Sequence, residues 1–436
     1  MSSQAFSAPG KALLAGGYLV LDPQYKSYVT ALSSRMHAVL HSTVSTNVEI
    51  RRVKVSSPQF KEGEWVYNIK GNDYYQSGAI NEINERRNPF LEATISTVLT
   101  YIQPKDNFDI DITIYSDSAY HSQDGTTVSK SNNGQKKFLY HTKPIMEVPK
   151  TGMGSSAGLV TVVTTALLAY FNNIKDIDES TKNIIHNCSQ IAHCYAQKKI
   201  GSGFDVAAAV FGSIIYKRFQ PSLIENILSN KASNEEVQQL VNSSWDFVHD
   251  QCALPPHIRL LMGDIEGGSE TPKLVSKVLQ WKKDKPDESD PLYKALDTAN
   301  QKLIGVLSDL HNLYKQDPVS YTSHIDSEVT TELSQTILDI RHNLQKLTKL
   351  SGAEIEPETQ TKLLDNCRNL QGSFGGVVPG AGGYDAICLL VKDDSVNTIV
   401  RSTATNPRFQ NVTWLNLHEE AQGVRTENVV DYDGLK

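Results

Sequence analysis

The sequence predicts an α+β protein of two domains, on three observations. Residues 108–115 alternate strictly, with Phe108, Ile110, Ile112 and Ile114 set against Asp109, Asp111 and Thr113, which is the two-residue period of a strand with one buried face. Residues 159–171 are a mostly apolar run of helical length, directly after a small, polar, glycine-rich loop, as expected of a helix entered from a tight turn. The chain has 436 residues, more than one hydrophobic core usually serves.

The elements follow in order. Residues 5–21 read as two short apolar runs around glycines, giving strand, turn, then strand or helix start, with Lys11 just after a Pro9-Gly10 turn. Residues 28–40 favour β structure, 48–55 alternate apolar with charged residues, and 65–69 fit a further strand. Residues 88–102 place Phe90, Ile95, Val98, Leu99 and Ile102 on or near one helical face. After the strand at 108–115, the polar residues 117–137 form a long surface loop. Residues 181–199 form a strong helix whose His186 and His193 lie on one face; with no third ligand spaced to complete a metal site, both read as packing residues.

Gly201-Ser202-Gly203-Phe204-Asp205 opens a helix over 206–210, with Asp205 at or near its N-terminus, and 213–219 is a strand ending in Lys217 and Arg218. The polar residues 221–254 read as the crossing between domains, which divides the chain at 1–220 and 221–436. Residues 258–262 open the second domain, 263–269 turn, and three or four helices lie between 271 and 370, those over 327–350 facing solvent on one side. A glycine-rich stretch over 377–386 precedes an apolar run at 387–391, and 412–417 is the last strand.

Hydrophobic residues make up 39% of the chain and charged residues 21%, ordinary values for a globular protein. A net charge of −7 gives no global attraction to nucleic acid or membrane, so a small anionic substrate needs a local basic pocket. The five cysteines, Cys188, Cys194, Cys252, Cys367 and Cys388, lack C-x-x-C spacing and read as reduced thiols rather than disulfides or zinc ligands. The first residues lack the basic and apolar regions of a signal peptide, no apolar run reaches membrane-spanning length, and Gly434-Leu435-Lys436 is not a peroxisomal ending. The expectation is a cytoplasmic protein without membrane insertion, its oligomeric state left open.

The chemistry concentrates in Pro149-Lys150-Thr151-Gly152-Met153-Gly154-Ser155-Ser156-Ala157-Gly158. Gly154 to Gly158 match a G-x-S-x-G nucleophile elbow with Ser156 as nucleophile. Gly152 to Ala157 fit a dinucleotide fingerprint. The same residues suit a phosphate cradle, because the first amides of a helix are unpartnered and sit at the positive end of its dipole. The plainest reading is a serine-capped helix entry. Proline disrupts the strand that a nucleophile elbow needs before it, and no apolar strand separates the helix from the acids at 176–179 that a dinucleotide site needs. Neither a Walker A loop nor the H-R-D and D-F-G pair of protein kinases occurs.

Three glycine-rich stations lie far apart: Pro9-Gly10-Lys11, Gly152-Met153-Gly154-Ser155-Ser156-Ala157, and Pro379-Gly380-Ala381-Gly382-Gly383-Tyr384-Asp385-Ala386. In order and spacing they resemble the three motifs of the GHMP small-molecule kinases. Within that family the chain is most similar to the fungal members that act on 5-phosphomevalonate, through residues 8–21, 148–152 and 201–209. The resemblance implies an N-terminal α+β domain, a C-terminal ferredoxin-like domain and an active site between them. It implies ATP bound by Lys150, Gly152, Met153, Gly154, Ser155, Ser156, Ala157 and Gly158, with Mg2+ held by Ser155 or Ser156. Asp205 would take the proton or orient the acceptor, and Lys11 would pair with Asp205 and offset charge on the transferring group. Tyr18, Lys217, Arg218, Gly382 and Gly383 would contact 5-phosphomevalonate, and residues 117–137 would flank the adenine.

One departure is informative. Mevalonate kinases and galactokinases usually carry Gly-Glu-His where this chain has Gly16-Gly17-Tyr18. A missing carboxylate suits an acceptor that already bears phosphate, because like charges at close range repel. A sister kinase with another acceptor, such as mevalonate, or a non-catalytic ligand sensor are the alternatives.

Overall fold

The computed structural model describes residues 2–43, 50–76, 78–229, 232–265, 267, 271–325 and 329–435. The first half runs β1 (Ser2–Ala15), β2 (Ser27–Thr43), β3 (Arg51–Ser56), β4 (Glu64–Ile69), β5 (Ile80–Glu82), α1 (Pro89–Ile102), β6 (Phe108–Ser116), β7 (Thr127–Lys130), β8 (Lys137–Tyr140), α2 (Ser155–Asn172), α3 (Glu179–Gln197), α4 (Phe204–Phe211) and β9 (Ile214–Lys217). The second continues with α5 (Glu225–Leu228), α6 (Asn234–Asn242), β10 (Val248–Gln251), β11 (Ile258–Ile265), α7 (Thr271–Asp284), α8 (Pro286–Gln316), α9 (Pro318–Ile325), α10 (Val329–Ser351), α11 (Glu358–Arg368), β12 (Ser373–Val377), β13 (Ala386–Lys392), α12 (Val396–Ala404), β14 (Val412–Leu415) and β15 (Arg425–Glu427). The predicted strand at 48–55 is described from Arg51 onward; Val48 and Glu49 lie outside the described residues.

The larger sheet has the order β10-β9-β2-β6-β3-β4-β5, with β1 joined to β2 and β15. The smaller, β12-β13-β11-β14, is antiparallel throughout. This is the α+β architecture expected. In β6 the alternation works as read: Phe108, Ile110, Ile112 and Ile114 are buried while Asp109, Asp111 and Thr113 are half-buried. Helices α1, α2 and α3 pack on one another, and α2 packs against β1 and β2. The helix α2 begins at Ser155 and is long and apolar enough to cross a membrane by composition, yet 67% of it is buried within the fold. Being apolar on nearly all sides is what a central core helix requires.

Several expectations change. The Pro9-Gly10 pair makes no turn: β1 runs through it against β2, with a register shift between Pro9 and Gly10. A bulge lets proline sit in a paired strand, where its missing N–H would otherwise break the ladder. Residues 117–137 are not one loop, because β7 pairs with β8 as a hairpin. The boundary at 220/221 does not match the pairing, since β10 extends the first sheet beside β9. Ile224, Ile227, Val237, Val241 and Trp245 also share a cluster with Cys188, Ile191 and Cys194 of α3. Sparse but well-spaced apolar residues bury one face of this polar segment, so it packs onto the first unit rather than bridging to the second. Five helices, not three or four, lie among the described residues between 271 and 370. The strand at 412 is not the last, since β15 returns to pair with β1.

The second unit leans on the first through α8, which packs against β1 and β2 as well as α10. Leu13, Leu14, Leu296, Ile340, Leu344, Val377 and Val378 line the seam and belong to one continuous core cluster. That seam joins the loop after β1 to the third glycine station.

Candidate active site

At the centre stands Gly154. A side chain built on it would meet Lys11 Cε at 3.1 Å and Asp205 Cβ at 3.6 Å, so its bare face lies between those two residues. Its φ of 79° lies in the left-handed region, which favours glycine. Strand β1 holds the loop directly, with the Lys11 N–H donating to the Met153 carbonyl at 3.2 Å. The Lys11 ammonium donates to the Gly152 carbonyl at 2.9 Å and lies 5.4 Å from the Phe204 ring centre. Burial lowers its pKa, while the nearby Asp205 carboxylate opposes that effect.

The rest of the predicted ATP loop divides in two. Gly152 is exposed, with open space where a side chain would stand, and Ser155 and Ser156 are half-buried. Gly154 caps α2 without a side-chain bond, which leaves the helix's first amides to a ligand. Met153 and Ala157 are buried in the core. A side chain on Gly158 would press against Met36 Cβ at 3.2 Å, so these three shape the loop from behind. Lys150 is exposed and bridges to His121. Residues 119–122 run beside the loop, with Thr151 N–H donating to the Tyr120 carbonyl at 3.2 Å and Ser122 N–H to that of Pro149 at 2.9 Å.

Asp205 lies in the first turn of α4, where its carboxylate accepts the Val206 N–H at 3.0 Å. Three side chains hold the loop before it. Gln190 donates to the Gly203 carbonyl at 2.7 Å, Tyr216 to that of Ser202 at 2.9 Å, and Arg218 to those of Ile200, Gly201 and Leu21. Arg218 is buried, and its contacts are with main-chain carbonyls. Any effect on an acceptor passes through the loop it secures. Lys217, half-buried at the end of β9, pairs with Val248 of β10.

The loop after β1 meets the third glycine station. Tyr18, with φ 63°, is buried and donates to the Ala381 carbonyl at 2.8 Å; burial and the neighbouring Tyr293 raise its pKa. A side chain on Gly17 would meet the Gly380 carbonyl at 3.0 Å. Gly382 and Gly383 turn the other way. A Cβ on Gly382 would strike the Ile355 carbonyl, and Gly383 N–H donates to that same carbonyl at 2.8 Å. They anchor the third loop on its own unit and leave Gly380 and Ala381 facing the first.

Sequence reasoning passed over His193. His186 is a core residue as read, stacked 4.4 Å from Phe247 and bonded to Asn187 and Gln190. His193 instead reaches the site, with Nε2 3.0 Å from Ser156 Oγ and 4.0 Å from Asp205 Oδ2. Burial lowers its pKa, partly offset by Asp205. Ser156, His193 and Asp205 do not form a hydrolase triad, because hydroxyl and carboxylate face the same ring nitrogen and no proton can pass through the ring.

No group of three or more His, Cys, Asp or Glu side chains able to hold a metal occurs among the described residues. Magnesium needs few protein oxygens when it bridges phosphates. A serine hydroxyl at the start of α2, near the Asp205 carboxylate, fits that modest demand.

The family model for the GHMP kinases N terminal domain matches residues 130–213. The chain is 53% identical over 439 residues to a phosphomevalonate kinase of Candida albicans, covering 99% of this chain and 100% of that one. It is 35% identical over 463 residues to a phosphomevalonate kinase of Gibberella zeae, covering 99% and 98%. Among solved structures, a Listeria innocua protein shares the fold at a TM-score of 0.70 and 18% identity, over 98% of this chain and 100% of that one. The Streptococcus pneumoniae phosphomevalonate kinase in complex with phosphomevalonate and AMPPNP does so at 0.64 and 15%, over 96% and 100%.

Proposed function

The chain belongs to the phosphomevalonate kinases of the GHMP family and phosphorylates 5-phosphomevalonate to 5-diphosphomevalonate with ATP; we propose that Lys11, Asp205 and the start of α2 carry the transfer. The observation behind this assignment is the bare face of Gly154, set between Lys11 and Asp205 at the N-terminus of α2. A phosphoryl group there would meet helix amides, an ammonium and a carboxylate at once.

In this reading a 5-phosphate oxygen of the acceptor attacks the γ-phosphorus of ATP. The bond from that phosphorus to the β–γ bridging oxygen breaks, ADP leaves with the electron pair, and a diphosphate results. A phosphate monoester loses its second proton at a pKa of about 6, so the nucleophile is largely ionised at neutral pH. Any proton that remains passes to the Asp205 carboxylate. Asp205 otherwise orients the acceptor, and Lys11 offsets charge on the equatorial oxygens. Bound magnesium neutralises phosphate charge, and Ser155 or Ser156 with Asp205 would hold it. Tyr18 and the Gly380–Ala381 turn close the acceptor side. All five cysteines are free thiols, which supports a cytoplasmic, reducing location.

The test is ADP release with ATP and magnesium against mevalonate, 5-phosphomevalonate and 5-diphosphomevalonate in parallel. Turnover confined to 5-phosphomevalonate is expected; turnover on mevalonate instead would overturn the acceptor assignment.

A further inference from the structure

We propose that the strap over 422–433, fastened to Asp117 through Tyr432 and His37, holds the phosphate loop in place, which makes Tyr432, His37 and Asp117 positioning residues for the nucleotide. The inference rests on the proposed nucleotide site at the start of α2 and names what supports it from behind.

After β14 the chain leaves the second unit, and β15 returns to pair with β1. Strand β2 meets this return with alternate residues, as the two-residue period of a strand allows. Arg35 donates to the Gln422 and Gly423 carbonyls at 3.2 and 2.6 Å. His37 is buried, with Nδ1 2.8 Å from the Tyr432 hydroxyl. Met36, between them, faces Gly158 of α2 instead. The same two residues grip Asp117. The Arg35 N–H donates to its Oδ2 at 2.8 Å, the Asp117 N–H donates to the Arg35 carbonyl at 3.0 Å, and His37 Nε2 lies 3.1 Å from Oδ1. One histidine ring therefore bridges the strap and Asp117.

Asp117 opens the excursion that delivers the phosphate loop. Between β6 and α2 the chain leaves the large sheet, and β7 and β8 form a sheet of their own. A single helical turn over Ser118–Tyr120 follows Asp117. It presents two carbonyls to Thr151, which donates from its N–H to Tyr120 at 3.2 Å and from its hydroxyl to Ala119 at 2.5 Å. Thr151 is next to Gly152, whose carbonyl receives the Lys11 ammonium. The turn of the β7–β8 hairpin docks on the same strap, where Asn132 N–H donates to the Asp433 carbonyl at 2.7 Å and the Lys136 ammonium to the Glu427 carboxylate at 3.0 Å. A second anchor is Gln59, whose amide donates to the Ser116 and Leu139 carbonyls at 3.0 and 2.8 Å. With that anchor intact, losing the Tyr432 bond loosens the loop without unfolding it.

The test combines amide hydrogen exchange of the ligand-free protein with kinetics of Tyr432→Phe, His37→Phe and the double variant. Phenylalanine at either position keeps a ring in the cluster with Tyr115 and Phe138 and removes only the polar link. Exchange at 117–122 and 149–153 is expected to quicken about fivefold in each variant, as for one lost hydrogen bond, while the loop at 201–205 on the other side of the site keeps its protection. The ATP KM should rise about fivefold in Tyr432→Phe and at least as much in His37→Phe, with the 5-phosphomevalonate KM within twofold of wild type. In the His37→Phe background Tyr432→Phe should cost nothing further, because the two act in series. Unchanged exchange at 149–153, an equal rise at 201–205, equal rises in both KM values, or additive losses in the double variant would each overturn the proposal. Inactivity of the wild type toward 5-phosphomevalonate would instead overturn the reading beneath it, which the exchange arm, needing no turnover, keeps separate.

Discussion

Tyr18 and Ala381, 363 residues apart, are joined by a 2.8 Å hydrogen bond from the tyrosine hydroxyl to the alanine carbonyl. This bond ties the loop after β1 to the third glycine station, across the seam between the two sheets. Both ends are constrained: Tyr18 is buried with positive φ, and its loop faces the Gly380 carbonyl. Because burial raises the Tyr18 pKa, the phenol remains a donor throughout the working range.

Tyr18→Phe should therefore raise the 5-phosphomevalonate KM about fivefold, as expected for one lost hydrogen bond of roughly 1 kcal/mol, while the ATP KM stays within twofold. Steady-state kinetics with each substrate varied in turn would check it. An equal rise in both KM values would mean that the bond serves general domain closure.

Gly152→Ala and Gly154→Ala form a matched pair. Both glycines have positive φ, 74° and 79°, so both substitutions carry backbone strain of about 1–2 kcal/mol. Only the Gly154 methyl meets Lys11, at 3.1 Å from Cε; the Gly152 methyl meets open space. Melting temperatures should fall similarly, whereas kcat should fall about tenfold further in Gly154→Ala. Equal kcat values would remove Lys11 from the reacting centre.

Gly17→Glu, which restores the carboxylate usual in mevalonate kinases and galactokinases, should raise the 5-phosphomevalonate KM by repelling its phosphate. Any side chain at Gly17 also crowds the Gly380 carbonyl, at 3.0 Å, so Gly17→Ala serves as the steric control. The Glu variant should exceed the Ala variant about tenfold in KM, an effect that shrinks at high salt. Identical KM values would leave only the steric contribution.

Glu427 gives a pH-dependent stability. Burial pushes its carboxyl up, but bonds from Ser7, Arg425 and Lys136 outweigh this and bring it down to about 2. A folded pKa below the unfolded one stabilises above the unfolded value of 4.5 and is lost as pH falls toward 2. Glu427→Gln should cost on the order of 2–3 kcal/mol at pH 7, discounted for partial exposure, and progressively less below about pH 4. Urea unfolding at pH 7 and pH 3.5 would check both magnitude and sign, and a cost constant with pH would contradict the assignment.

Much of the layout of the candidate site was legible because its loops are local signals. Glycine-rich loops opening helices mark Gly152 to Gly158 and Gly203 to Asp205, and Lys11 follows a motif. What escaped depends on partners distant in sequence. Strand β1 continues through Pro9-Gly10 because β2 supplies a bulged partner, where a local reading sees a turn. The hairpin of β7 and β8 is hidden by its polar composition. Residues 221–254 bury a thin apolar face on α3, which composition alone reads as a linker. His193 repeats the helical face of His186, but Ser156, 37 residues earlier, draws it into the site. The helix period that places both histidines on one face cannot tell the one that packs from the one that bonds.

The most direct test of the central claim is the kcat of Asp205→Asn on 5-phosphomevalonate, with ATP affinity measured alongside. The variant keeps the shape and the acceptor of the Val206 N–H bond but loses the charge. A fall in kcat of about a hundredfold or more with ATP affinity preserved is predicted. A kcat within threefold of wild type would contradict the placement of Asp205 at the transferring group.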